Sequence, residues 1–152
     1  MEILHQFPLQ FLVEDAITFK DELFLLCTRQ HNFVYAIQVY DRNSMTQVKG
    51  DIPLPEIHVQ ATTMVACNVS NCLYILNDKP HDLSVLRITQ NDEHEFVISP
   101  LISNMRRRYD DLSVAANGSL FLSWQKAKEQ RAVISVYDAN GYLLQETRRR
   151  FL

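Results

Sequence analysis

The chain has 152 residues, of which 47% are hydrophobic and 22% charged, with a formal net charge of -3, which is the composition of a globular domain able to bury one sizeable core. Its first residues, Met1-Glu-Ile-Leu-His-Gln, carry neither a basic leader nor a long apolar run, and no stretch approaches the roughly 20 apolar residues of a membrane span, so the expectation is a soluble, cytoplasmic protein. Three cysteines, Cys27, Cys67 and Cys72, are too few and too uneven for a disulfide framework and read as buried thiols in a reducing compartment.

Taken in order, the chain repeats one plan three times. A first strand is predicted over Ala16–Phe19, Thr63–Cys67 and Leu112–Ala115. A second follows as Leu23-Phe-Leu-Leu-Cys27, Leu73-Tyr-Ile-Leu-Asn77 and Leu120-Phe-Leu-Ser-Trp124, the leading leucines lying 50 and then 47 positions apart. The third strand reads Tyr35–Tyr40, Leu83–Ile88 and Val133–Tyr137, and the fourth Met45–Val48, Phe96–Ile98 and Tyr142–Leu144. Tyr40-Asp41 and Tyr137-Asp138 repeat a strand end and turn start, where aspartate can cap the turn; the middle copy has Ile88-Thr89. Asn117-Gly118 and Asn140-Gly141 between apolar runs predict type I′ hairpins, in which both central residues take positive φ. Beyond the fourth strands the marks Ile52-Pro53-Leu54 and Ser99-Pro100-Leu101 recur; Phe7-Pro8-Leu9 is the same mark and suggests a stray outermost strand in front. Cys67 and Cys72 flank a four-residue turn and could face each other across a hairpin, and Asn68-Val-Ser70 and Asn117-Gly-Ser119, although they match the glycosylation pattern, read as ordinary turns.

Repeats of 47 to 50 residues holding four short antiparallel strands have the size of a β-propeller blade. The continuous apolar runs Leu23–Cys27 and Leu73–Leu76 imply sheets covered on both faces, as stacked blades are. The expected fold class is therefore all-β, with three four-stranded antiparallel blades, half of a six-bladed ring. Residues 1–9 form the outermost strand of an incomplete blade, 10–57 blade one, 58–105 blade two and 106–152 blade three. Three blades leave sheet face and strand edge uncovered, so completion by a second copy or by further blades of a longer chain is expected. Thr63-Met-Val-Ala-Cys-Asn-Val-Ser-Asn-Cys-Leu-Tyr-Ile75 and Leu112-Ser-Val-Ala-Ala-Asn-Gly-Ser-Leu-Phe-Leu122 resemble the strand phrasing of NHL-type six-bladed propellers, a likeness extending over residues 10 to 147. The Gly-His and Trp-Asp marks of WD repeats and the double glycine of kelch repeats are absent. The resemblance implies a platform for protein or RNA partners.

No reaction chemistry stands out in the sequence. The five histidines are dispersed, with no metal-ligand spacing, and no cofactor or metal is expected. His81-Asp82 could imitate part of a dyad, but sequence neighbours in an extended segment point apart, and neither a nucleophile elbow nor a phosphate-binding glycine loop is present. Trp124 reads as packing between blades, with a contact residue at the ring mouth as the alternative. The surface signal is charge: residues 1–105 hold 6 basic and 13 acidic side chains, net -7, and residues 106–152 hold 9 and 5, net +4. In propeller topology the loops joining blades share a rim with the loops between second and third strands. The triplets Arg106-Arg-Arg108 and Arg148-Arg-Arg150, together with Lys126, Lys128 and Arg131, are thus expected on one basic rim. Asp21, Glu22, Asp41, Asp92, Glu93, Glu95 and Asp138 are expected on the opposite one. The binding residues expected to matter most are Arg106, Arg107, Arg108, Lys126, Lys128 and Arg131. The functional expectation is a non-enzymatic protein-interaction platform. RNA binding through the basic rim is the alternative, disfavoured by a pI near 5.9 and by the neighbouring Asp110, Asp111 and Glu129; a propeller-type hydrolase ranks last.

Overall fold

The structure, a computed structural model, describes residues 12–28, 35–54 and 61–150. They form three four-stranded antiparallel sheets, each a meander whose strand order follows the chain. The first holds β1 (Leu12–Phe19), β2 (Glu22–Thr28), β3 (Tyr35–Asp41) and β4 (Gln47–Pro53). The second holds β5 (Ala61–Cys67), β6 (Cys72–Asn77), β7 (Ser84–Gln90) and β8 (Phe96–Ile102). The third holds β9 (Asp111–Val114), β10 (Leu120–Lys126), β11 (Arg131–Tyr137) and β12 (Leu143–Arg150), with one 3-10 turn at Ala127–Glu129 between β10 and β11. Among the described residues no helix is long and apolar enough to cross a membrane.

The sheets stack in chain order, with β1 beside β5 and β5 beside β9. Strand alternation assigns each sheet two faces. One face of the first sheet, with Phe24, Leu26, Ile37 and Val39, packs on Leu73, Ile75 and Ile88 of the second. The other face of the second, with Cys72, Tyr74, Leu76 and Val85, packs on Leu112, Leu120 and Leu122 of the third. At the inner strands the first two sheets are also stitched by the Met64 backbone N–H, which donates to Asp15 Oδ2 at 2.9 Å beside a register shift in β1. β6, lying in the middle sheet, is buried at every position, as its unbroken apolar run predicts; β10, covered on one face, buries Leu120 and Leu122 and exposes Phe121 between them.

Two expectations are corrected. The Asn-Gly hairpins are not type I′, because positive φ falls on Gly118 and Gly141 (both +85°) and not on Asn117 or Asn140. Each is a three-residue loop closed by a left-handed third residue: Gly118 N–H donates to Ala115 O at 2.9 Å and Gly141 N–H to Asp138 O at 3.0 Å. Side-chain acceptors select this form. Asp138 Oδ1 accepts the Asn140 and Tyr142 backbone N–H groups at 2.9 Å each. Asp41 Oδ1 accepts those of Asn43 at 3.0 Å and Ser44 at 2.7 Å. In the middle repeat Asn91 takes the part, accepting from Glu93 at 3.0 Å and Glu95 at 2.8 Å, with His94 as the left-handed residue at φ 61°.

The second correction concerns the fourth strands, which begin near the expected positions and run on to Pro53, Ile102 and Arg150. Pro53 and Pro100 therefore lie inside β4 and β8, opposite Ala36 and Leu86, and not beyond them. An outermost strand leaves every second backbone N–H without a ladder partner, so proline is tolerated there. By the same extension Arg148–Arg150 belong to β12 and not to a loop. The Phe7-Pro8-Leu9 mark and the strand expected over residues 1–9 lie outside the described residues.

Candidate functional site

The basic charge is concentrated on the third sheet and the segment that enters it. Across the third sheet Trp124 faces Val133 and Val133 faces Arg148, while Arg131 faces Arg150. With a side-chain period of two, Trp124, Arg131, Arg148 and Arg150 share the face that carries Leu120 and Leu122 toward the second sheet. Arg107, from the connection between β8 and β9, joins these four in a pocket of about 450 Å³, which Ala132, Val133 and Arg149 also line. Trp124 is half-buried and packs on the inter-sheet core while forming a wall of the pocket, so both readings of it meet in one position.

A larger groove of about 680 Å³ adjoins the pocket, and Arg107 and Arg148 line both. Its walls include Leu101, Met105, Arg106, Tyr137, Tyr142 and Leu143. On its floor a chain of polar contacts runs from Tyr109 to Glu146. Tyr109 Oη and Ser135 Oγ are 2.7 Å apart in a buried contact, and Ser135 Oγ donates to Glu146 Oε2 at 3.2 Å. Arg148 Nε donates to Glu146 Oε1 at 2.8 Å, and Arg107 Nη2 lies 3.7 Å from the same oxygen. The Arg148 hydrogen bond, then the Arg107 charge and the Ser135 hydroxyl, hold the Glu146 carboxyl below its ordinary range. Burial, with Tyr109 next to it, pushes the Tyr137 hydroxyl up to about 12.

The expected basic residues divide among three placements. Arg107 and Arg131 line the pocket, and Arg106 lines the groove. Arg108 Nη2 lies 2.8 Å from Asp78 Oδ2, whose side chain is only 7% exposed, and so ties the β6–β7 connection to the segment entering β9. Lys126 pairs with Glu129, which also lies 3.6 Å from Arg131, and Lys128 is exposed on the 3-10 turn, away from both cavities. Glu129 is held below its ordinary range chiefly by its hydrogen bond from Lys126. Asp110 does not face the arginines as a free carboxylate; its Oδ2 accepts the Gln125 backbone N–H at 3.0 Å. Glu146, Ser135 and Tyr109 were not among the expected residues. Glu146 and Arg148 are two apart in a strand and hence on one face, a signal the sequence carries once β12 is extended to Arg150; Tyr109, in a connection, offers none.

At the other end of the sheets the β1–β2 and β3–β4 turns touch, Arg42 N–H donating to Asp21 O at 3.1 Å. Asp41, Asp92, Glu93, Glu95 and Asp138 occupy turns or strand ends there, interrupted by Lys20 and Arg42. Cys67 does face Cys72 across the β5–β6 hairpin, and both thiols are free and buried, as is Cys27. Burial raises Cys72, and burial followed by the Asp51 charge pushes Cys27 up to about 11. Among the described residues no three His, Cys, Asp or Glu side chains are grouped to hold a metal ion. His81 and His94 are exposed turn residues at positive φ. No protein-family model and no curated protein matches the sequence, which leaves the geometry as the ground for a functional reading.

Proposed function

We propose that the three sheets are blades of a β-propeller of the six-bladed NHL type, and that the chain is a non-enzymatic protein-interaction platform whose first partner is a second copy of itself. The observation that carries this reading is a repeated aromatic position. Phe24, Tyr74 and Phe121 each follow the leading leucine of the second strand in their repeat. Phe24 is 2% and Tyr74 0% exposed, each inserted against the next sheet, whereas Phe121 is 36% exposed on a face that no sheet of the described residues covers. Ile37, Val85 and Ile134 repeat the pattern one strand over, the first two fully buried and Ile134 45% exposed. The free face of the third sheet thus keeps the aromatic and aliphatic residues of these two positions, with Ser123 where the burying faces carry Leu26 and Leu76, and burying an aromatic or aliphatic side chain is worth about 1.5–3 kcal/mol.

Light scattering after size exclusion, over a concentration series, tests the reading. The wild type is expected at twice the monomer mass and Phe121→Lys as a folded monomer. A wild type that stays monomeric at every concentration removes the second copy and leaves further repeats in a longer chain as the only source of a covering sheet. The second reading, RNA binding, is favoured by the arginine pocket alone. Gel shifts with single-stranded RNA across a salt series test it, since phosphate contacts must weaken as salt rises.

A further inference from the structure

We propose that the pocket between Trp124 and the five arginines receives the phosphoryl group of a phosphorylated side chain, presented by an extended segment of a partner protein whose neighbouring apolar side chain lies in the adjoining groove. This inference rests on the platform reading above and names the ligand chemistry of its rim.

Three features point to this ligand. Arg131 and Arg150 stand directly opposite each other on adjacent strands and both line the pocket. Like charges directly opposite are unfavourable, and an anion seated between them relieves that repulsion. The guanidinium group, with its planar fork of donors, matches phosphate oxygens two at a time. The nearby carboxylates, Glu129 and Glu146, leave an excess of positive charge, because Glu146 is shared by Arg107 and Arg148 and Glu129 by Lys126 and Arg131. The groove reached past Arg107 and Arg148 is walled by Leu101, Met105, Tyr137 and Leu143, which suits an apolar side chain next to the phosphorylated one.

A peptide is favoured over RNA by what surrounds the pocket. The arginines converge on one cavity and do not form a track, while Asp78 and Glu129 interrupt the rim where a polyanion would continue. The groove side is apolar and holds a carboxylate, Glu146, unlike a surface that follows a phosphate backbone.

Trp124 is the only tryptophan, so its emission reports the pocket directly. The titration uses phenyl phosphate and degenerate peptide pools with a fixed phosphotyrosine or phosphoserine, against the same pools without phosphate, on wild type and on Arg131→Ala and Arg150→Ala. Circular dichroism checks that each variant is folded. The expected result is a saturable change in Trp124 emission with phenyl phosphate and the phosphorylated pools and none with the unphosphorylated pools, weakened about tenfold or more by either substitution, the size of one charge-assisted contact. Equal response to sulfate and phenyl phosphate at matched ionic strength overturns the proposal. So does binding indifferent to Arg150→Ala, or single-stranded RNA that binds in an Arg150-dependent way while phosphorylated pools do not. Loss of phosphate binding with the dimer intact defeats the ligand assignment alone; a monomeric wild type that still binds the phosphorylated pools defeats self-pairing alone.

Discussion

Gly141 offers the sharpest test of how the second and third sheets meet. It sits at φ +85° in the β11–β12 turn, and a β carbon there would lie 2.6 Å from the backbone carbonyl oxygen of Leu101 in β8 and 3.3 Å from its carbonyl carbon. Gly118 has the same φ in the β9–β10 turn, but a β carbon there would meet Val69 Cγ1 at 3.5 Å, Ala139 Cβ at 3.7 Å and Ser70 Oγ at 3.7 Å, all ordinary contacts. Gly118→Ala therefore measures the conformational penalty alone, about 1–2 kcal/mol for an L residue held left-handed. Gly141→Ala adds the displacement of a strand backbone, an overpacking cost of about 1–3 kcal/mol, for a total of about 2–5 kcal/mol. In a domain of this size each kcal/mol lowers Tm by about 2–4 °C. Thermal unfolding followed by circular dichroism should show a Gly141→Ala shift clearly larger than that of Gly118→Ala. Equal shifts would mean that the third sheet's outer turn does not press on β8, and the groove between the sheets would lose one wall.

The buried Tyr109–Ser135 contact predicts an asymmetry in denaturant unfolding. Tyr109→Phe costs about 1 kcal/mol because Ser135 Oγ keeps Glu146, whereas Ser135→Ala costs more, about 1–3 kcal/mol, because it removes the Tyr109 contact and the hydrogen bond to Glu146 together. Glu146 is depressed below its ordinary value of 4.5, so its contribution is complete above that pH and is lost as pH falls through the folded-state value. The stability difference between wild type and Glu146→Gln should accordingly be constant in the neutral range and shrink on acidification below about pH 4.5; a difference independent of pH would show that Glu146 is not ionised in the network. All three thiols are buried, and Cys27 is pushed up to about 11, so a thiol reagent at pH 8 should label none of them until the chain is unfolded, with Cys27 the slowest under partial denaturation.

Strand phrasing made the middle sheet legible because the unbroken apolar run of β6 states that both its faces are covered; in β10 Leu120-Phe121-Leu122 is equally unbroken, and the exposure of Phe121 between two buried leucines is set by which face the neighbouring sheet covers. Hairpin type was less legible, since Asn-Gly is compatible with more than one loop and the choice fell to Asp138 and Asn117 as side-chain acceptors, the latter taking Ser119 N–H at 3.0 Å. The reach of the outer strands was hidden by Pro53 and Pro100, which end strands in a sheet interior but not at an edge. The same extension bears on the arginines: only with Arg148–Arg150 on β12 do Glu146, Arg148 and Arg150 alternate onto one strand face.

The two inter-sheet grooves show why the second one is the place to look for function. Leu86 opposes Ile75 in the second sheet and Ser135 opposes Leu122 in the third, the same position of the repeat. At the first interface Leu86 packs with Phe96 and Ile98 against the first sheet, Phe24 meets Phe96 edge-on at 6.0 Å, and Lys49 Nζ lies 4.8 Å over the Phe96 ring. A space of about 30 Å³ lies there beside Phe24 and Phe96. At the second interface the leucine is replaced by a buried serine tied to Tyr109 and Glu146, and the outer strand carries arginine on the facing side. A buried polar chain gives up apolar stabilisation and is costly unless every member is partnered. The third repeat has spent stability on an open, charged groove where the second repeat closes the same place with leucine and phenylalanine. Stability alone would favour the closed form at both, and the departure in the third repeat is what the proposed ligand site requires.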